Sequence, residues 1–219
     1  AMIRAAAKTH ERVAVVVDPS DYDTLLSEVQ AGGPNAATRR RWARKAFAHT
    51  AAYDTAIVRW FDTLDDSSEA SAALPETLHL ALERADVLRY GENPHQAGAR
   101  YREVGTRGMW DDVVQHKGSP LSFLNLFDAE AAWRLAYQLG EGTVVIVKHA
   151  NPCGVARADS LAEGYARAFD ADPTSAFGGV VALHGVVDVA TAERILANAK
   201  ADVLIERGYQ EEALALLQS

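Results

Sequence analysis

The sequence predicts an α/β protein, and three observations carry that prediction. Strand-like and helix-like segments alternate cleanly from about residue 127 to residue 217. Thr143-Val144-Val145-Ile146-Val147 is an apolar, β-branched run of the kind that fills buried strands. Asn-Pro, Asp-Pro and Gly-Gly steps punctuate the segments where the chain must turn. Repeated strand–helix order predicts a parallel or mostly parallel sheet with right-handed crossovers.

The elements follow in order. Residues 1–8 read as the middle of a helix with no cap before it. Residues 13–17 are β-branched and predict a strand ended by Asp18-Pro19. Ser20 or Asp21 caps a helix to about Gln30, and Gly32-Gly33-Pro34 stops it. Residues 38–64 hold no Gly or Pro and predict a long, largely buried helix. Arg39-Arg40-Arg41 near its start opposes the helix dipole. A solvated basic turn competes there with a contact to phosphate or another subunit. Residues 65–74 are polar, small and Ser/Ala-rich, the best candidate linker. Leu78, Leu80 and Leu82 alternate with polar neighbours and predict the start of a half-buried strand. Beyond them come helix 128–139, strand 143–148, helix 160–169, strand 178–183, helix 190–199, strand 203–205 and helix 211–217. The last helix has no clear stop, so both ends read as cut from something longer.

Composition narrows the function classes. With 48% hydrophobic and 24% charged residues among 219, the chain is of ordinary globular type. Its net charge of −8 argues against a general nucleic-acid binder but leaves room for a local basic pocket. A single cysteine, Cys153, allows no intrachain disulfide and fits a reducing, cytoplasmic setting. No apolar run is long enough to span a bilayer, and the N-terminus shows no signal-peptide pattern.

Three motifs carry candidate chemistry. Lys148-His149-Ala150-Asn151-Pro152-Cys153-Gly154 follows the apolar run, and its Asn-Pro and Gly predict a loop. A cation beside a proton acceptor at a strand end suits acid–base work on an anionic or carbonyl substrate. A surface lysine and a packed histidine are the bland alternative. Arg89-Tyr90-Gly91-Glu92-Asn93-Pro94-His95-Gln96 offers a planar fork for phosphate or carboxylate and a ring for stacking. By composition alone a hydrogen-bonded turn is the favoured reading. Ser175-Ala176-Phe177-Gly178-Gly179 lets a ligand approach backbone closely, or is simply a tight helix–strand turn. Pro152-Cys153 matches half of a Pro-Cys-x-x-Cys zinc motif, but position 156 is Ala, so that zinc site is excluded and Cys153 reads as a small turn residue. Lys8, Thr9 and His10 close the first helix, where basic residues complement the dipole.

Taken in order, Arg4-Ala5-Ala6-Ala7-Lys8-Thr9-His10, residues 88–96, residues 148–154 and residues 172–179 resemble the bifunctional purine-biosynthesis family that joins AICAR transformylase to IMP cyclohydrolase. The resemblance covers essentially the whole chain. It implies an internal fragment across the domain junction. Residues 1–70 would be the C-terminal part of a Rossmann-like, methylglyoxal-synthase-like cyclohydrolase domain. Residues 71–219 would be the first part of a cytidine-deaminase-like transformylase domain without zinc.

The resemblance also implies chemistry. 10-formyltetrahydrofolate is the cosubstrate, AICAR and formyl-AICAR are substrates and IMP is the product. His149 would take the proton from the AICAR amine, and Lys148 would stabilise the developing oxyanion. Arg89, Tyr90 and Gly178 match nucleotide-holding positions, and Asp202 falls near an acidic one. Lys8 matches the lysine of the cyclisation step, although Thr9 stands where the family has Asn. Leu204-Ile205-Glu206-Arg207-Gly208-Tyr209 replaces the usual apolar–Ala–Pro segment. The loops for the cyclohydrolase phosphate would precede residue 1, and the folate site would follow residue 219. A cytoplasmic homodimer is the family expectation, with neither nucleic acid nor membrane as partner. The rival expectation is a non-catalytic fragment that retains only part of the AICAR pocket.

Overall fold

The computed structural model describes residues 1–64, 77–198 and 200–219. The expected linker, residues 65–74, and the 70/71 domain boundary lie outside the described residues. Two compact units are formed, Ala1–Glu83 with Tyr101–Gly108, and Arg84–Arg100 with Met109–Ser219.

The first unit holds α1 (Met2–Lys8), α2 (Tyr22–Gln30) and α3 (Ala36–Asp62); α1 and α3 pack around a small core, to which α2 contributes no buried residue. A 3-10 turn at Pro19–Asp21 precedes α2, and Asp18 caps it by accepting from the Ser20 amide at 3.0 Å. Asn35 starts α3 by accepting from the Ala37 and Thr38 amides at 2.9 and 3.0 Å. Ala7, Val15, Ala43 and Ala46 pack together, and Trp42 is fully buried.

Three expectations fail in this unit. Residues 13–17 form no strand, because no described backbone pairs with them; Val15 packs among helices instead. The second half of α3 is not buried: Tyr53, Trp60 and Phe61 are more than half exposed, and Thr38, Trp42, Ala43 and Ala46 hold the buried face. Leu78 and Leu80 are exposed and precede the strand, which starts at Leu82. The basic run is resolved for one member. Arg39 Nε donates to the His10 carbonyl at 3.0 Å, and its Nη1 donates to the Pro34 carbonyl, so this arginine ties the chain after α1 to α3.

β1 (Leu82–Val87) and β2 (Ala99–Glu103) pair as a two-stranded ribbon. Arg102 bonds Glu83 at 2.9 Å, and Arg100 bonds both Asp86 and Asp111, at 2.7 and 2.8 Å.

The larger unit holds α4 (Phe123–Leu139), β3 (Thr143–Lys148), β4 (Asn151–Arg157), α5 (Leu161–Ala171), α6 (Pro173–Ala176), β5 (Val180–Val187), α7 (Val189–Leu196), β6 (Val203–Tyr209) and α8 (Glu211–Gln218). The sheet order is β4-β3-β5-β6. β3 alternates between its faces. Val145 and Val147 pack with Ala129, Ala132 and Ala136 of α4, while Val144 and Ile146 pack with Tyr165 and Ala168 of α5. Helices therefore cover both faces, in three layers.

The expected mostly parallel sheet is corrected. β3 is antiparallel to both β4 and β5, and β5–β6 is the parallel pair. The reason is a strand where a loop was expected. Asn151-Pro152-Cys153-Gly154 continues directly into β4, so the chain reverses within two residues, His149 and Ala150. A two-residue connection can join only antiparallel strands. β4-α5-β5 and β5-α7-β6 are then the crossover units, with β3 inserted against their direction.

β4 is an edge strand, where a proline is tolerated. Val147 pairs with Pro152 and Ile146 with Gly154, so Cys153 is the extra residue of a bulge rather than a turn residue. Gly154 is needed for another reason: a Cβ there would lie 1.9 Å from the Ala168 carbonyl oxygen of α5. Gly154→Ala must push α5 off the sheet. A loss of about 2–3 kcal/mol in unfolding free energy is expected, measured by urea titration; an unchanged midpoint would contradict the packing.

Candidate functional site

β3 ends at Lys148, and its side chain turns to the segment after α6. Lys148 Nζ donates to the Phe177 carbonyl at 2.7 Å and to the Gly178 carbonyl at 3.0 Å. An ammonium has three donors, so a third direction is left for a ligand. Gly178 has φ +66°, and a Cβ there would lie 3.1 Å from Lys148 Nζ and 3.8 Å from Asp202 Oδ2. The glycine thus separates the ammonium from the carboxylate with no side chain between them. Its amide donates to the Lys200 carbonyl at 2.8 Å, and the Asp202 amide donates to the Gly179 carbonyl at 2.9 Å. These bonds hold the Asp202 loop against the glycine pair. Lys148, Gly178 and Asp202, predicted from three separate segments, are brought together.

His149 occupies the β3–β4 turn, exposed, with φ 54°; Ala150 follows with φ 59°. The turn is tied at two points. Asn151 Nδ2 donates to the His149 carbonyl at 2.8 Å, and the Ala150 amide donates to Asp128 Oδ1 at 2.8 Å.

Arg89 and Tyr90 form a local pair. The guanidinium lies 4.7 Å from the Tyr90 ring centroid, and Nη2 donates to the phenol oxygen at 2.9 Å. Their backbone is anchored beside the start of α4: the Arg89 amide donates to the Leu121 carbonyl at 3.0 Å, and the Phe123 amide donates to the Tyr90 carbonyl at 3.1 Å. Between them Ser122 and Asn125 make a capping box.

Arg89 and Asp202 line one open groove of about 1270 Å³, together with Asn125, Lys200, Glu206 and Tyr209. Enclosed small-ligand pockets are roughly 300–1,000 Å³, so this is a broad groove rather than a sealed cavity. Lys148, His149 and Gly178 are not part of its wall; Gly178, with Lys148 beside it, adjoins the groove through Asp202. Burial pushes the Glu206 carboxyl and the Tyr209 hydroxyl above their ordinary values, and a hydrogen bond between the two opposes the rise for Glu206. Lys8 belongs to the first unit, exposed at the C-terminal end of α1. Among the described residues no cluster of three His, Cys, Asp or Glu side chains is gathered.

Sequence reasoning missed Asp128, Asn125, Lys200 and the Glu206–Tyr209 pair. The Ser122-x-x-Asn125 spacing was a legible signal for one of them. Asp128 and Lys200 have none, because their roles depend on neighbours in space.

The larger unit is thus a three-layer mixed α/β unit in which a lysine, a left-handed glycine and an aspartate meet beside an arginine-bearing groove. The chain belongs to the AICARFT/IMPCHase bienzyme family, whose model matches residues 6–219. It is 49% identical over 226 residues to the bifunctional purine biosynthesis protein PurH of Sorangium cellulosum, covering 100% of this chain and 43% of that protein. It is 44% identical over 219 residues to the protein of the same name from Ruminiclostridium cellulolyticum, covering 99% of this chain and 41% of that one. The chain therefore spans about two fifths of the length of the curated relatives it matches.

The bulge residue Cys153 allows a check of the geometry around β3. Its thiol is pushed up by burial, with Asp172 adding to the rise and Lys148 opposing it. A raised value leaves less thiolate near neutrality. Iodoacetamide labelling of the folded protein is expected to be slow at pH 7 and to climb only above the ordinary thiol range. Labelling at pH 7 as fast as free cysteine would contradict the burial.

Proposed function

We propose that the chain is the junction-spanning part of a purine-biosynthesis enzyme that formylates AICAR and closes formyl-AICAR to IMP. The observation that carries the reading is the family match across residues 6–219, joined to the meeting of Lys148, Gly178 and Asp202. The 1–70 part is read as the end of a Rossmann-like cyclohydrolase domain. The remainder is read as the start of a cytidine-deaminase-like transformylase domain. The parent is read as a cytoplasmic homodimer.

Each assigned side chain has a chemical task. 10-formyltetrahydrofolate supplies the formyl carbon as cosubstrate, and its N10–formyl bond breaks to release tetrahydrofolate. The AICAR amine is a poor nucleophile, because its lone pair is delocalised towards the ring carboxamide. His149 takes its proton as the nitrogen attacks. Lys148, already fixed by two carbonyls, directs its remaining donor at the oxygen that gains negative charge. Arg89 meets an anionic group of the nucleotide with its fork, and Tyr90 keeps that guanidinium in place. Gly178 and Asp202 hold the nucleotide's polar edge, the first by backbone approach and the second by accepting hydrogen bonds. In the second reaction the carboxamide nitrogen closes on the formyl carbon and water leaves. Lys8 moves a proton in that step.

One observation favours a second reading for the isolated polypeptide: the relatives are more than twice its length. On that reading the 219-residue chain binds nucleotide and does not turn over. The two are separated by assaying both proteins. In the full-length parent, His149→Ala is expected to lower kcat for formyl transfer by about 10²–10⁴-fold while AICAR still binds. Near-normal turnover would sink the role of His149. Lys8→Ala is expected to slow cyclisation of supplied formyl-AICAR and to spare formyl transfer; equal loss of both activities would refute the division of labour. Measurable formyl transfer by the isolated chain would refute the fragment reading.

A further inference from the structure

The β3–β4 turn is in a conformation that its own residues do not favour. Tight two-residue hairpins of this kind prefer Asn-Gly or Gly-Gly, because both residues need positive φ. Here they are His149 and Ala150, at 54° and 59°, the positive-φ non-glycine residues among those described. In the left-handed region their Cβ atoms crowd the backbone carbonyl. Such strain persists where surrounding structure imposes it.

The external restraint is Asp128. Its Oδ1 accepts the Ala150 amide at 2.8 Å, a charge-assisted bond across 22 residues of sequence. Asp128 sits in the second turn of α4, next to Ala129, which is fully buried against the sheet. Its position is therefore fixed by core packing rather than by the turn. The same helix start holds the Arg89-Tyr90 segment through the Phe123 amide and the Tyr90 carbonyl.

We infer that Asp128 is a positioning residue. It holds the Ala150 amide, keeps the turn left-handed and so sets the direction of the His149 imidazole. The inference rests on the proton-accepting role proposed for His149. Asp128 touches neither substrate in this scheme; it acts through the turn.

The test uses the full-length parent enzyme and compares four variants in formyl transfer. Asp128→Ala is expected to lower kcat about tenfold or more while KM for AICAR moves within about twofold, because misplacement of a reacting group is felt in the transition state. Asp128→Asn keeps an Oδ1 acceptor and is expected to recover most of that loss. Adding Ala150→Gly to Asp128→Ala removes the steric objection to positive φ and is expected to restore kcat at least threefold, roughly, over Asp128→Ala alone. His149→Ala is the control. If it is inactive and Asp128→Ala runs at the wild-type rate, the positioning role is overturned while the base assignment stands. If His149→Ala is active, the base assignment itself has failed. Asp128→Asn as slow as Asp128→Ala, or no gain from the glycine, also overturns the inference. Should Asp128→Ala fail to fold, Asp128→Leu, which keeps the volume without an acceptor, is read in its place.

Discussion

Val144, Val145, Ile146 and Val147 are buried on both faces of β3, and the geometry of the larger unit is measured from them. Each such side chain contributes about 1.5–3 kcal/mol when fully buried. A one-residue slip would exchange the two faces, setting Val145 and Val147 against α5 and Val144 and Ile146 against α4. Alanines at 129, 132 and 136 let α4 approach closely, and Gly154 lets α5 approach the neighbouring strand. The register of β3 therefore determines where Lys148 ends and where the turn after it begins.

From that fixed end the site is assembled by backbone groups more than by side chains. Lys148 meets two carbonyls, Gly178 and Asp202 are locked by main-chain bonds to residues 200 and 179, and Arg89-Tyr90 is paired to residues 121 and 123. Main-chain partners move only with their elements, so the site is as rigid as the packing of α4, β3 and β5. The bulge at Cys153 and the left-handed turn are the two departures from regular structure on β3–β4, and both fall beside Lys148. Irregular backbone at a ligand site re-aims side chains that a regular ladder would leave pointing at a helix.

Much of the larger unit was legible because its signals are local. The β-branched run gave β3 with its limits, and Ser160 and Asp188 cap α5 and α7 close to where periodicity placed them. The topology was not legible, and the cause is one dipeptide. Asn-Pro ordinarily marks a turn, yet Pro152 sits on an edge strand at a bulge, where its missing N–H is harmless. Reading a loop there hid β4 and made the sheet look parallel. In the first unit Val15 and its neighbours had the composition of a strand without a described partner, and composition cannot supply one. Arg89, Tyr90, Lys148 and Gly178 stood in motifs marked out by residue type, and the resemblance supplied their expected roles and added Asp202, whereas the bond from the Ala150 amide to Asp128 could be found only in three dimensions.

The net charge of the chain does not set the charge of the groove. The chain carries a net −8. The groove is lined by Arg89, Lys117, Lys200 and Arg207 against Asp112, Asp202 and Glu206. Burial disfavours the charged form of Glu206, and its bond to Tyr209 opposes this in part. Lys117 spends donors on the Leu217 and Gln218 carbonyls but keeps its charge there. Charges that share one groove act more strongly than distant surface carboxylates screened by salt, whose reach is about 8–10 Å. An acidic protein can still present a locally cationic surface to an anionic ligand. Asp202, beside Gly178, is an acceptor on the wall of that groove; under the proposed function it suits a donor-bearing edge of the nucleotide rather than its phosphate.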